Sequence, residues 1–409
     1  MEHTRPDEPE KPSASRWSWV SRTVVGIVLA TFFSDFSHEM CTAVLPLYLV
    51  TAGFGPASLG IIEGVADFLV SLSRLGGGVV GHYVRRKRPL AALGYLVTTL
   101  ATAAIGLVSS LAALASLRSA AWVGRGFRVP FRDYLLADAV EPTHYGRAYG
   151  LERAGDMLGA VAGPLAATLL VWAGIEFRSI ILLTLAPGLV AASAMFFLVK
   201  ERKALPEKVE IADQEIKRSF PKGFWFFLVG VGLFGLGDFS RTFLIWLAAR
   251  GLGEDAGHTA GAVSVAVLLY TLHNLVSAGA AFPIGHLGDR RSKLGVLLVG
   301  YCLGVGTNIL LAALGSSLSW LVVAILLSGV YIAAEETLEK AVAAEFLPRD
   351  LRSLGFGILA CVNAVGDMVS SLCVGFLLEA GKTQLAFGLA AVVGALGTLW
   401  LAWIVTRAR

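Results

Sequence analysis

The sequence predicts an all-α membrane protein with twelve transmembrane helices in two pseudo-symmetric six-helix bundles. Three observations predict it: an apolar, charge-poor composition, charges that cluster between long apolar runs, and a second half that repeats the first. The chain has 409 residues, of which 56% are hydrophobic and 16% charged, with a mean hydropathy of +0.69. A soluble domain carries about 25% charged residues, so this chain lacks the polar surface to fold in water. Glycine supplies 46 residues, and small residues let membrane helices approach closely where lipid gives no hydrophobic drive for association. The net charge is only +4, with most basic residues in short loops between apolar runs, which excludes a nucleic-acid partner. The four cysteines, Cys41, Cys302, Cys361 and Cys373, lie scattered inside apolar runs. Their spacing fits reduced packing residues rather than a disulfide framework or zinc site, and no cofactor or metal is expected.

A hydrocarbon core of about 30 Å needs about 20 helical residues. In order, the apolar runs predict spans at 20–50, 57–83, 89–109, 111–140, 147–173 and 177–199. The second set is 222–250, 257–286, 293–314, 316–346, 351–380 and 384–406. Gly53, Gly55 and Pro56 punctuate the first connection, and Gly315 to Ser317 the ninth. Residues 1–19 read as a polar, disordered cytoplasmic tail with no cleavable signal. Residues 20–199 form the first bundle, 200–221 a charged cytoplasmic linker, and 222–409 the second bundle. Lys and Arg concentrate in the loops on the side of the termini, including Arg85 to Arg88, Arg290, Arg291, Lys293, Arg349 and Arg352. The positive-inside rule then puts both termini in the cytoplasm, with a bacterial cytoplasmic membrane as the expected location.

The repeat is local and ordered. Asp35-Phe36-Ser37 matches Asp238-Phe239-Ser240, and Gly81-His82 matches Gly285-His286. Gly94-Tyr95 matches Gly300-Tyr301, and Ala137-Asp138 matches Ala344-Glu345. Halves repeated about an axis along the membrane normal mark one transporter architecture. On these residues the chain resembles the major facilitator superfamily over nearly its full length. That family's loop motif, Gly-x-x-x-Asp-Arg-x-Gly-Arg/Lys, is partly matched by Gly285, Asp289, Arg290 and Lys293. The first half departs, with Val84 where the acid is expected. The family's antiporter motif is matched in spacing by Gly150, Gly159, Gly163 and Pro164, although Ala167-Thr168 replaces its closing glycines. The resemblance implies export by antiport. Residue chemistry alone reads the same glycines as a flat strip for a close helix contact, with Pro164 permitting a bend.

A charge at the bilayer centre costs about 2.5 kcal/mol or more, so it faces a cavity or a partner. Asp35, His38 and Glu39 share one helical face by their spacing. Desolvation favours a neutral carboxyl, so with Asp67 this set would bind and release protons or a cation. Its other reading is a buried structural network. Asp238 and Arg241 stand at equivalent places in span seven and can pair locally. Span four carries a stripe of Arg125, Arg128 and Arg132, followed by Asp133. The stripe reads either as a path for an anion or as partners for acids on neighbouring helices. At the repeat offset, Arg128, Arg132 and Asp133 answer to Glu335, Glu339 and Lys340, with every sign reversed. The expectation is that Arg128 and Arg132 pair with Glu335 or Glu339 when the cytoplasmic side closes. Glu152 and Asp156 lie on the glycine face of span five, with Glu152 expected to meet an arginine of span four, and Glu336 is one step from Glu335.

No GxxxxGK[ST] phosphate loop, nucleophile–base pair or metalloprotease motif occurs, so the chain does not read as an enzyme. The reading is a monomeric secondary active transporter in the lipid bilayer, coupling protons to export of a small amphipathic organic molecule. The alternatives are a divalent metal exporter using Asp35, His38, Glu39 and Cys41, and a non-transporting membrane sensor.

Overall fold

The computed structural model describes residues 17–51, 56–201, 220–239, 243–244, 247, 260–314 and 318–407. The described residues form helices and turns without strands. The first half holds α1 (Arg22–Thr51), α2 (Pro56–Tyr83), α3 (Arg88–Ala104), α4 (Leu111–Ala139), α5 (Tyr145–Trp172) and α6 (Phe177–Leu198). The second holds α7 (Lys222–Gly235), α8 (Ala260–Arg290), α9 (Lys293–Leu314), α10 (Leu318–Phe346), α11 (Arg352–Glu379) and α12 (Thr383–Arg407). Eight of these are long and apolar enough to cross a membrane. The arginine-bearing α4 is not among them. Outward-facing Leu165, Leu169, Phe197, Phe376 and Leu399 are more than half exposed, as a lipid-facing surface requires.

The helix ends follow local chemistry. Ser110 caps α4 by accepting from the Ala113 N–H at 3.3 Å, one of the donors a helix start leaves unpaired. Just beyond α5, Gly174 adopts φ +77°, and just beyond α11, Gly381 adopts φ +72°. These two glycines are repeat-equivalent, and a side chain at either would be strained in that left-handed conformation.

One element differs from expectation. The apolar run predicts a continuous span from 222 to 250, but α7 stops at Gly235, and Asp238 lies in non-helical backbone. The rest of that span lies largely outside the described residues. The break falls at Gly237, where a Cβ would sit 2.5 Å from the Ala390 carbonyl oxygen and 2.6 Å from the Gly394 nitrogen. The Gly237 carbonyl accepts from Asn308 Nδ2 at 3.1 Å. That bond satisfies a backbone group which a broken helix would otherwise leave unpaired in the membrane.

The halves meet at the end that carries the termini. There α2 crosses α11 and α5 crosses α8. A Cβ on Gly78 would lie 2.8 Å from the Gly357 Cα, and one on Gly285 would lie 2.0 Å from the Gly146 carbonyl oxygen. The two crossings are images of each other under the repeat. A buried cluster at this end draws on both halves, including Trp19, Tyr134 and Tyr149 with Phe227, Leu347 and Phe356. At the opposite end the buried clusters are separate. One holds Tyr48, Ile105 and Ile180, and the other Leu311, Ile325 and Phe387. Among the described residues, the bundles therefore share a core at the basic end and keep their own cores at the other.

Candidate functional site

A cavity of about 150 Å³ lies between the halves. Its first-half wall comes from α1, α2, α4 and α5 and carries five basic and four acidic side chains. The second-half wall comes from Asp238, α10 and α11 and carries one basic and five acidic side chains. The second wall is thus strongly acidic and the first nearly balanced.

Ion pairs organise the first wall. Asp35 on α1 receives Arg125 in a two-point fork, at 2.8 and 3.0 Å. Such forks fix geometry as well as charge. Arg132 bridges Asp133 at 2.9 Å and Glu152 at 2.8 Å, so Glu152 does meet an arginine of α4. Arg153 pairs with Asp156 at 2.8 Å and reaches across to Glu336 at 3.7 Å. Lys340 lies 3.4 Å from Glu336, one turn away. Arg128 has a different environment. It donates to Ser34 Oγ at 2.6 Å and stacks 3.7 Å over the Tyr95 ring.

On the second wall, Tyr301 donates to Glu339, and Asn363 Nδ2 donates to the same carboxylate at 2.6 Å. Asp238 accepts from Tyr331 at 2.7 Å. Tyr95 and Tyr301 were visible in the sequence only as repeat markers. In the fold Tyr95 stacks under the Arg128 guanidinium, and Tyr301 bonds the Glu339 carboxylate, one helical turn beyond the residue equivalent to Arg128.

The placement of the expected residues is mixed. Asp35, Arg125, Arg128, Arg132, Asp133, Glu152, Asp156, Asp238, Glu335, Glu336 and Glu339 all line the cavity. His38 and Glu39 do not. His38 is 1% exposed with its ring 4.7 Å from Trp122, edge to face. Glu39 sits against Gly163 of α5. The side chain of Asp67 and all of Arg241 lie outside the described residues. Arg74, Arg153, Asn363 and Asp367 join the lining, and each was legible as a charged or polar residue in an apolar run. The expected pairing of Arg128 and Arg132 with Glu335 or Glu339 is absent although the basic end is closed. Ser34, Asp133 and Glu152 are nearer, on helices of the same bundle. Among the described residues no three His, Cys, Asp or Glu side chains form a metal-ligating group.

The glycine motif and the loop motif frame this cavity. Cβ atoms on Gly159 and Gly163 would lie 2.4 and 2.5 Å from carbonyl oxygens of Phe32 and Phe36, so both glycines seat α5 on α1. Gly150 instead faces Ala281 of α8 across the halves, and Pro164 lies within α5. Asp289, fully buried, accepts from the backbone N–H groups of Gly146 and Arg147 at 2.8 and 2.9 Å. It also accepts from Arg147 Nε at 3.0 Å. A carboxylate at a helix N-terminus gains from both the free N–H groups and the dipole. Arg290, the last residue of α8, follows it.

The first half has no such carboxylate. α3 starts at Arg88 and α9 at Lys293, a register that sets Val84 opposite Asp289. There Glu201 accepts from the Lys87 and Arg88 N–H groups at 2.8 and 3.3 Å. The cross-half contacts on that side include Arg349 with Asp138 at 2.6 Å, Arg352 with the Tyr145 hydroxyl at 2.7 Å and the His82 ring with the Asp350 carbonyl at 3.2 Å.

Comparison with known proteins fits this geometry. An uncharacterised MFS-type transporter of Methanocaldococcus jannaschii is 26% identical over 359 residues, covering 88% of this chain and 89% of the relative. The human organic anion transporter MFSD10 superposes with a TM-score of 0.75 at 15% identity, covering 93% of this chain and 99% of that one. A bacterial homologue of the iron transporter ferroportin, in an outward-facing state, also gives 0.75 at 16% identity, covering 95% and 100%. At these identities the two structures show the fold alone. The family model of the Major Facilitator Superfamily matches residues 27–269 and 227–409. A transporter fold with a charged cavity between repeated halves, matched by that model along almost all of its length, belongs to the Major Facilitator Superfamily.

Proposed function

We propose that this protein is a proton-coupled secondary transporter that exports a small amphipathic organic molecule by alternating access. One observation carries the reading: a cavity lined by ionisable side chains of both halves, closed at one end by two repeat-related helix crossings. With the basic end and both termini in the cytoplasm, the described state is closed toward the cytoplasm. Rocking one half against the other would open the α2–α11 and α5–α8 crossings and expose the cavity inward. The site is complete within one chain, so a monomer suffices.

Asp35 is the favoured coupling group. A proton on its carboxylate would release the Arg125 fork and change the first wall by one charge. In proteoliposomes with an imposed pH gradient, a transported compound should dissipate the gradient. Asp35→Asn should keep substrate exchange and lose proton movement. Transport indifferent to the gradient in the unmodified protein would overturn the coupling. The divalent-metal reading draws on Asp35, His38, Glu39 and Cys41 as ligand types. It is weakened by the packing of His38 against Trp122 and by the lack of a three-ligand group among the described residues. A sensor has no need of a cavity bounded by two breakable crossings.

A further inference from the structure

We infer that the cavity selects zwitterions: small molecules that bring an anionic group to Arg128 and a cationic group to Glu335. This rests on the transport reading above and names the substrate class of the same site. The observation is how the unsatisfied polar atoms sort. Both side chains are more than nine-tenths buried and line the cavity. On the first wall, the buried atoms lacking a hydrogen-bond or ion-pair partner among the described residues are all donors. They are Nε and Nη1 of Arg128, Nε of Arg74 and Nε of Arg153. On the second wall they are all acceptors, Oε2 of Glu335 and Oδ1 of Asn363.

A buried polar atom left unpaired costs about 1–3 kcal/mol, more if charged, so each wall favours a ligand group that completes it. An anion alone would satisfy Arg128 but would face the acidic second wall. A cation alone would satisfy Glu335 and leave the guanidinium N–H groups unpaired. One molecule with both charges completes both walls at once. Because the walls belong to different halves, it also ties them together. The charges that organise the rest of the cavity are neutralised locally, Arg125 by Asp35 and Arg132 by Asp133 and Glu152. Among the described residues, Arg128 meets Ser34 and the Tyr95 ring and no carboxylate, so its charge is available for recognition.

The test uses the full-length protein, purified and reconstituted. The probes are amino acids with uncharged side chains and γ-butyrobetaine, each with its methyl ester, which keeps only the cation. Each is also paired with an analogue that keeps only the anion: the N-acetyl derivative, or 5,5-dimethylhexanoate for γ-butyrobetaine. Thermal stabilisation gives apparent affinity, and uptake under a pH gradient gives transport. At least one zwitterion should bind about tenfold or more tightly than both of its partners. Arg128→Gln should remove the preference over the ester, and Glu335→Gln the preference over the anionic analogue. Arg128→Lys and Glu335→Asp keep the charges and should keep the preference, which separates recognition from misfolding. Equal binding of an ester or an anionic analogue overturns the inference, as does stabilisation by none of the zwitterions. Failure of the transport reading is a different result: no compound of any charge class crosses the membrane under a gradient.

Discussion

Replacing Gly285 by alanine puts one methyl group where α8 crosses α5. That Cβ would lie 2.0 Å from the Gly146 carbonyl oxygen, 2.6 Å from its carbon and 3.3 Å from the Arg147 nitrogen. All three are backbone atoms of the facing helix, so no side chain can swing aside. Restoring ordinary contact requires the helices to part by roughly 1 Å or more. The Asp289 bonds to the Gly146 and Arg147 N–H groups, now 2.8 and 2.9 Å, would then stretch beyond hydrogen-bonding range. Overpacking costs about 1–3 kcal/mol, and each bond to a charged group about 1.5–3 kcal/mol. The two bonds alone, at the low end of that range, amount to about 3 kcal/mol, which lowers the population closed at the basic end at least roughly a hundredfold relative to the open one. Ser353, fully buried against Gly81 at the other crossing, offers a reporter. With the four native cysteines replaced by serine, Ser353→Cys should react slowly with a thiol reagent applied at the basic end. Adding Gly285→Ala should make it react far faster and should depress transport. Gly279→Ala on the same helix is the control, because a Cβ there meets nothing within 4 Å. Equal labelling and transport in the Gly285 and Gly279 variants would refute the argument that this crossing is the closed gate.

Other perturbations scale with burial. Asp289→Asn keeps the shape but removes the charge facing two backbone N–H groups and Arg147. It should weaken closure by about 2 kcal/mol, read by the same labelling assay. Asp138→Asn removes the partner of Arg349, which is 45% exposed. Surface pairs contribute about 0–1 kcal/mol, so labelling should change by less than about fivefold. Asp35→Ala leaves Arg125 buried without its fork and should cost about 3–5 kcal/mol of stability, seen as a lower melting temperature. The double change with Arg125→Ala should recover part of that loss. Trp19 is 7% exposed, stacks near Phe282 of α8 and lies under Arg147 of α5. It spans the gate, so Trp19→Ala should speed opening of the basic end without changing which compounds bind.

Much of this protein is fixed by local sequence physics. Twelve apolar runs specify twelve helices because a membrane accepts few other backbone arrangements. Eleven of those helices agree with the runs to within a few residues at the ends described. The exception, α7, contained its own warning in the Gly235-Leu-Gly237 sequence, but the Ala390 and Gly394 backbones that press on Gly237 are more than 150 residues away. Charges in apolar runs likewise marked most residues that line the cavity, since only a cavity or a partner makes such charges tolerable. Which charge meets which was decided by packing. Helical spacing put Asp35, His38 and Glu39 on neighbouring directions of α1, yet one faces the cavity, one Trp122 and one Gly163. A helix's period fixes direction around its own axis. The partner in that direction depends on where other helices pack. The repeat suggested that opposite charges at equivalent positions would find each other across the halves. In the closed bundle Arg132 and Glu339 find partners within their own halves, leaving Arg128 and Glu335 on opposite walls of one cavity.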